Sequence, residues 1–86
     1  MNIVFTPSAW KHYTEWQAKD RKLVDRINEL IKEISRSGAV GGKGKPEHLR
    51  NLPLYSRRIN KEHRLLYSID GEWGLVISSC KGHYAD

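Results

Sequence analysis

Apolar positions follow one period in the first half of the chain and another in the second. Leu23, Val24, Ile27, Leu30, Ile31 and Ile34 fall at i, i+1, i+4, i+7, i+8 and i+11, the spacing that gathers side chains on one face of a helix with 3.6 residues per turn. Asp20 stands where this helix needs an N-cap, and Gly38 where it should stop. Further upstream, Thr6-Pro7 reads as an N-cap followed by proline at the first helical position. Trp10, Tyr13 and Trp16 then recur at intervals of three, which predicts a helix face packed on a core rather than a platform for stacked bases. Residues 2–5 (NIVF) suit a short strand ahead of this helical hairpin.

The segment GAVGGKGKP (38–46) is glycine-rich and closes on a proline, so it predicts a flexible basic connector. Its glycine spacing fits neither the P-loop nor the dinucleotide fingerprint. Beyond it, short strand-like runs lie around 47–50, 55–60 (YSRRIN), 63–69 (HRLLYSI) and 74–81 (GLVISSCK). Asp70-Gly71 marks a tight hairpin between the last two, lengthened by Glu72 and Trp73. Strand alternation sends Arg57 and Arg58 to opposite faces, and separates His63, Leu65, Tyr67 and Ile69 from Arg64, Leu66 and Ser68. A strand and two helices followed by an antiparallel meander predict a single α+β domain over residues 1–86, with the helices on one sheet face. The other face is left for a ligand.

Composition narrows the class. Hydrophobic residues are 38% and charged residues 29% of 86, a globular rather than a disordered balance. No apolar run approaches the roughly 20 residues of a membrane span, and the start MNIVFTPSAW lacks the regions of a signal peptide. One cysteine, Cys80, can make no internal disulfide, so a reducing cytoplasmic setting is expected, with the thiol buried in a strand. The net charge of +5 is concentrated between Lys43 and Arg64, where Lys43, Lys45, Arg50, Arg57, Arg58, Lys61 and Arg64 face only Glu47 and Glu62; outside that window the charges balance. A basic field this local points to a polyanion, nucleic acid above all.

The chemistry on offer is metal-free. His12, His48, His63, His83 and Cys80 show no zinc-binding spacing, and Cys80-x-x-His83 alone provides two ligands where zinc takes three or four. Neither a metal nor another cofactor is expected. RNA can be cut without one. A base takes the ribose 2′-hydroxyl proton, a cation steadies the charge growing on the phosphate, and an acid protonates the departing 5′-oxygen. Glu47 is a candidate base among cations that favour its ionised form. Arg57, Arg58 and Arg64 are candidate phosphate clamps, because a guanidinium binds phosphate through two parallel bonds. His83 and Tyr84 could supply a donor and a stacking ring. By themselves these residues favour plain nucleic-acid binding over cleavage, since any small basic protein holds Glu, Arg and His.

A family resemblance sharpens that reading. The W-x-x-Y-x-x-W-Q of Trp10 to Gln17, INELIK (27–32), GKGKPE (42–47), SRRI (56–59), EHRLLY (62–67) and the ending C-x-x-H-Y (80–84) together resemble the YoeB/Txe toxins of the RelE-like superfamily along nearly the whole chain. The resemblance implies a microbial-ribonuclease fold and a ribosome-dependent endonuclease that cuts messenger RNA in the A site and stops translation. It implies a YefM-type antitoxin as partner and leaves room for a homodimer, with no membrane involved. Carried over by motif, Glu47 is the general base, Arg64 the phosphate stabiliser, His83 the general acid, and Tyr84 a residue that positions or stacks a base. Arg58 becomes a supporting phosphate contact, and Lys43, Lys45 and Arg50 grip RNA. His12, His48 and His63 are expected to be structural or solvated. The chain departs from the family pattern in three places. The loop between Arg50 and Ser56 is one residue shorter, Gly82 stands where an aromatic is common, and Ala85 and Asp86 follow Tyr84. Two other functions stay open: a non-catalytic toxin of the same superfamily, such as a gyrase poison, and an RNA-binding module without activity.

Overall fold

In the computed structural model, which describes residues 1–83, each helix boundary has a local cause. A first strand, β1 (Ile3–Phe5), leads into helix α1 (Pro7–Lys19). Thr6 has extended backbone, and its Oγ1 accepts the Ala9 N–H at 3.2 Å, which satisfies one of the donors a helix start leaves open. Asp20 serves two helices at once. Its N–H donates to the Trp16 carbonyl at 2.8 Å and closes α1, while its Oδ1 accepts the Leu23 N–H at 3.2 Å and opens α2 (Arg21–Ser37). Gly38, at φ +83°, ends α2 by donating to the Ile34 carbonyl, in a backbone region that glycine enters without steric cost.

The periodic stripe of α2 is its buried face: Leu23, Val24, Ile27, Leu30, Ile31 and Ile34 are all buried. Each contributes about 1.5–3 kcal/mol by leaving water. The aromatic row of α1 behaves less uniformly. Tyr13 and Trp16 pack against the core, but Trp10 stays 53% exposed, with its ring edge-on to Phe5.

Four further strands, β2 (Glu47–His48), β3 (Tyr55–Arg58), β4 (Arg64–Asp70) and β5 (Gly74–Ser79), complete a five-stranded sheet in the order β1-β5-β4-β3-β2. From β2 to β5 the pairing is antiparallel, as the run of short strands predicts. β1 adds something the local pattern could not show. It lies parallel to β5, with Ile3 opposite Leu75 and Phe5 opposite Ile77, and the sheet is mixed. The crossover through α1, α2 and the meander carries the chain far enough for a parallel neighbour, which no tight turn allows. The β4–β5 hairpin turns on Asp70, whose Oδ1 accepts the N–H groups of Glu72 and Trp73, each at 2.8 Å.

Both helices cover one face of this sheet. Leu65 and Tyr67 of β4 and Leu75 and Ile77 of β5 meet Ala9 of α1 and Leu23, Ile27, Leu30, Ile31 and Ile34 of α2 in one core. A bulge interrupts the β4–β5 ladder: Tyr67 faces Ile77, but Leu66 faces Ser79, leaving Ser78 as the additional residue. Such an insertion shifts the side-chain phase by one, and Cys80 follows into the core. Burial pushes its thiol up to about 12.

Candidate active site

The sheet face away from the helices bears a cleft of about 280 Å³. Its floor follows from strand register. Glu47 pairs with Ser56, Ser56 with Leu66, and Arg58 with Arg64, so these residues share one face. Strands about 4.8 Å apart and about 3.3 Å per residue along each put the Glu47 and Arg64 Cα atoms roughly 12 Å apart, a span that two long side chains and a phosphate can fill. Lys45, Glu47, His48, Leu49, Arg50, Ser56, Arg58, Arg64 and His83 line the cleft.

Four cations thus face one carboxylate, an electrostatic setting suited to a polyanion. Arg64 is the deepest of them, 9% exposed. Its NH1 donates to the carbonyls of Asn60 at 2.8 Å and His63 at 3.2 Å, which fixes the guanidinium plane. Burial, and secondarily the charge of Arg58, push Arg64 below its ordinary value, while Glu47 pulls the other way. A guanidinium remains charged under such pressure, and this one gains if an anion arrives. His83 reaches the cleft from the chain after β5. Gly82 is fastened there on both sides of its Cα: its carbonyl accepts the Arg64 N–H at 2.8 Å, and its N–H donates to His63 Nδ1 at 2.9 Å.

The structure separates the two neighbouring arginines as alternation predicts, and the outcome corrects the expectation that both bind RNA. Arg58 is exposed and lines the cleft. Arg57 points to the helix side and is wholly buried. Its Nε donates to the Tyr67 hydroxyl at 2.8 Å, NH1 to the Lys43 carbonyl at 2.6 Å, and NH2 to the carbonyls of Gly38 at 2.9 Å and Ala39 at 3.3 Å. It therefore holds the 38–46 segment instead of touching a ligand. The same contacts correct the picture of that segment as a free connector. Arg58 N–H adds a bond to the Gly44 carbonyl at 2.7 Å. Gly44 sits at φ +92°, where a Cβ would lie 2.8 Å from Leu30 Cδ2. The moored loop delivers Lys45 and Glu47 to the cleft.

Lys43 goes elsewhere. Its Nζ lies 3.8 Å from Glu29 Oε1 on α2, outside the cleft. Tyr84 lies outside the described residues. Sequence reasoning passed over His48, Leu49 and Ser56. The register that pairs Glu47 with Ser56 brings the serine in, and counting back by two from Arg58 along the strand would have found it. His48 is exposed, with its ring edge-on to Tyr55 at 4.8 Å. Among the described residues, no three His, Cys, Asp or Glu side chains gather as metal ligands would, and no helix is long and apolar enough to cross a membrane.

The family of YoeB-like toxins of bacterial type II toxin–antitoxin systems matches residues 5–84. Toxin YoeB of Escherichia coli K12 is 43% identical over 86 residues, covering 98% of this chain and all of that one. A YoeB dimer from Staphylococcus aureus superposes with a TM-score of 0.91 at 52% identity, and the toxin in a heterotetrameric YoeB–YefM complex from the same organism with 0.89 at 50%, each covering 98% of both chains. Fold and sequence agree, and the chain belongs to the YoeB-like toxin family of bacterial type II toxin–antitoxin systems.

Proposed function

We propose that this toxin is a metal-free endoribonuclease that cuts messenger RNA in the ribosomal A site. The observation that carries the reading is the meeting of Glu47, Arg64 and His83, distant in sequence, in one basic cleft. Glu47 takes the proton of the ribose 2′-hydroxyl, and the 2′-oxygen attacks the adjacent phosphorus. The bond from phosphorus to the 5′-oxygen breaks, and His83 gives its proton to that oxygen. The products are a 2′,3′-cyclic phosphate and a free 5′-hydroxyl. Arg64 and Arg58 neutralise the charge that grows on the phosphate oxygens, the kind of preorganised stabilisation that carries much of an enzyme's rate. Lys45 and Arg50, at the rim, hold the RNA backbone, and Tyr84 positions or stacks a base.

The partners follow from the same reading. A YefM-type antitoxin would cover the cleft between rounds of activity, as a YefM protein accompanies the S. aureus relative. A homodimer is the second assembly, by analogy with the YoeB dimer of that organism. A toxin acting on translating ribosomes would function in the cytoplasm.

The test is message cleavage in a reconstituted translation reaction. Each positioned acid or base gives about 10²–10⁴-fold, so Glu47→Gln and His83→Ala should each lose that much while still binding ribosomes. Wild-type rates from both variants would refute the mechanism. Intact message with wild-type protein would leave a toxin that acts by binding alone.

A further inference from the structure

The segment that carries His83 runs as irregular chain after β5, where strand pairing no longer fixes it. Bonds from other segments hold it instead, beside short-range ones between Ser79 and Lys81. The Trp16 indole N–H donates to the Cys80 carbonyl at 2.8 Å and the Arg64 N–H to the Gly82 carbonyl at 2.8 Å; the Cys80 N–H donates to His12 Nδ1 at 3.3 Å and the Gly82 N–H to His63 Nδ1 at 2.9 Å. The first two join groups that do not titrate. The last two each depend on a side-chain nitrogen that accepts only while it carries no proton, and the shorter of them, at His63, holds the residue next to His83.

His63 is itself well placed to hold. Its main-chain N–H donates to Asn60 Oδ1 at 2.8 Å, and its ring meets Trp16 edge-on at 4.8 Å. Gly82 has φ +91°, a conformation that suits glycine and in which its N–H and carbonyl engage consecutive residues, His63 and Arg64. We infer that His63 is a positioning residue: its unprotonated Nδ1 latches Gly82 and so holds His83 in the cleft, and a proton on Nδ1 opens the latch. The effect on rate rests on the ribonuclease reading; the latch itself does not.

The titratable and charged groups on the segments around the ring are His12, Glu15 and Lys19 of α1, Lys61 and Glu62 of the turn, Arg64 of β4, and Lys81 and His83 of the tail. Glu15 is engaged by Lys81 at 3.8 Å. Whatever the charges around the ring, the direction is fixed, because a protonated Nδ1 presents a donor to a donor.

Two variants and one resonance test this. His63→Phe keeps a ring against Trp16 and removes the acceptor. His63→Asn puts an amide oxygen close to the place of Nδ1 and does not titrate. In ribosome-bound message cleavage, His63→Phe should lower the maximal rate about 10- to 100-fold with half-saturation changed by less than about threefold, and His63→Asn should restore most of the rate. In NMR spectra of the whole chain, the Gly82 amide should shift with the midpoint of the His63 ring as pH falls, and this titration should vanish in His63→Asn. A Gly82 amide indifferent to the His63 titration would overturn the latch, as would a folded His63→Phe with the wild-type maximal rate. Should His63→Phe fail to fold, the wild-type and His63→Asn titrations still decide. A wild-type protein that cuts no message refutes the ribonuclease reading alone.

Discussion

Arg57→Met keeps a long apolar stem in the core and deletes the guanidinium that ties the 38–46 segment to β3 and β4. Four donated bonds disappear, to Tyr67, Lys43, Gly38 and Ala39. At about 1.5–3 kcal/mol for a bond to a charged group, the sum would be roughly 6–12 kcal/mol. Two effects reduce it. The main-chain carbonyls of residues 38–43 lie in a loop and regain water, and burying a guanidinium had itself cost several kcal/mol. No carboxylate among the described residues pairs with Arg57, so that cost is offset only by carbonyls and a phenol. The net loss should be about 3–5 kcal/mol, what remains of that sum once these two effects are taken off. An 86-residue chain has about 4–13 kcal/mol of stability in all, and each kcal/mol moves Tm by about 4–8 °C at this size. Arg57→Met should therefore melt about 12–40 °C below wild type, followed by far-UV circular dichroism. Arg57→Lys, with charge but no planar fork, should fall between. Arg58→Met, exposed on the other face, should change stability by less than about 0.5 kcal/mol. A Tm within about 4 °C of wild type for Arg57→Met would refute the claim that this side chain fastens the loop.

Asp20→Ala removes the side-chain cap of α2 but keeps the main-chain bond that closes α1, and should cost about 1 kcal/mol in urea unfolding, within the usual range of about 0.5–2; no loss would mean that the main-chain contacts suffice. Burial raises the Tyr67 phenol, with the Arg57 bond and charge opposing in part. A folded value above the unfolded one gives stability that is complete below the ordinary phenol value of about 10 and is lost as pH rises through the folded value. Urea midpoints of wild type should fall on the alkaline side, and Tyr67→Phe should flatten that fall. Cys80, with its thiol pushed up to about 12, should resist a thiol reagent in the native state and react at the rate of unfolding; immediate labelling of the folded protein would contradict its place in the core.

Much of this molecule is legible in its sequence because the signals are local. The stripe from Leu23 to Ile34, the caps Thr6 and Asp20, the stop at Gly38 and the turn at Asp70 each depend on residues within a few positions, and each is realised. Alternation separates Arg57 from Arg58, and the basic window around Glu47 marks where the net charge collects. The family motifs name Glu47, Arg64 and His83.

The tertiary structure decided what neighbours along the chain cannot. Leu65 and Leu66 are both buried and Arg57 and Arg58 are both basic, so the pattern says that they diverge but not which member faces the helices. Only the packing of α1 and α2 on one face sends Arg57 inward as a loop anchor and leaves Arg58 in the cleft. The same holds for Lys43, drawn to Glu29, for the parallel seat of β1 beside β5, and for the bulge at Ser78 that sets the path toward His83. Secondary structure is chosen by interactions a few residues long. A cleft is assembled by register and burial between segments that only folding brings together.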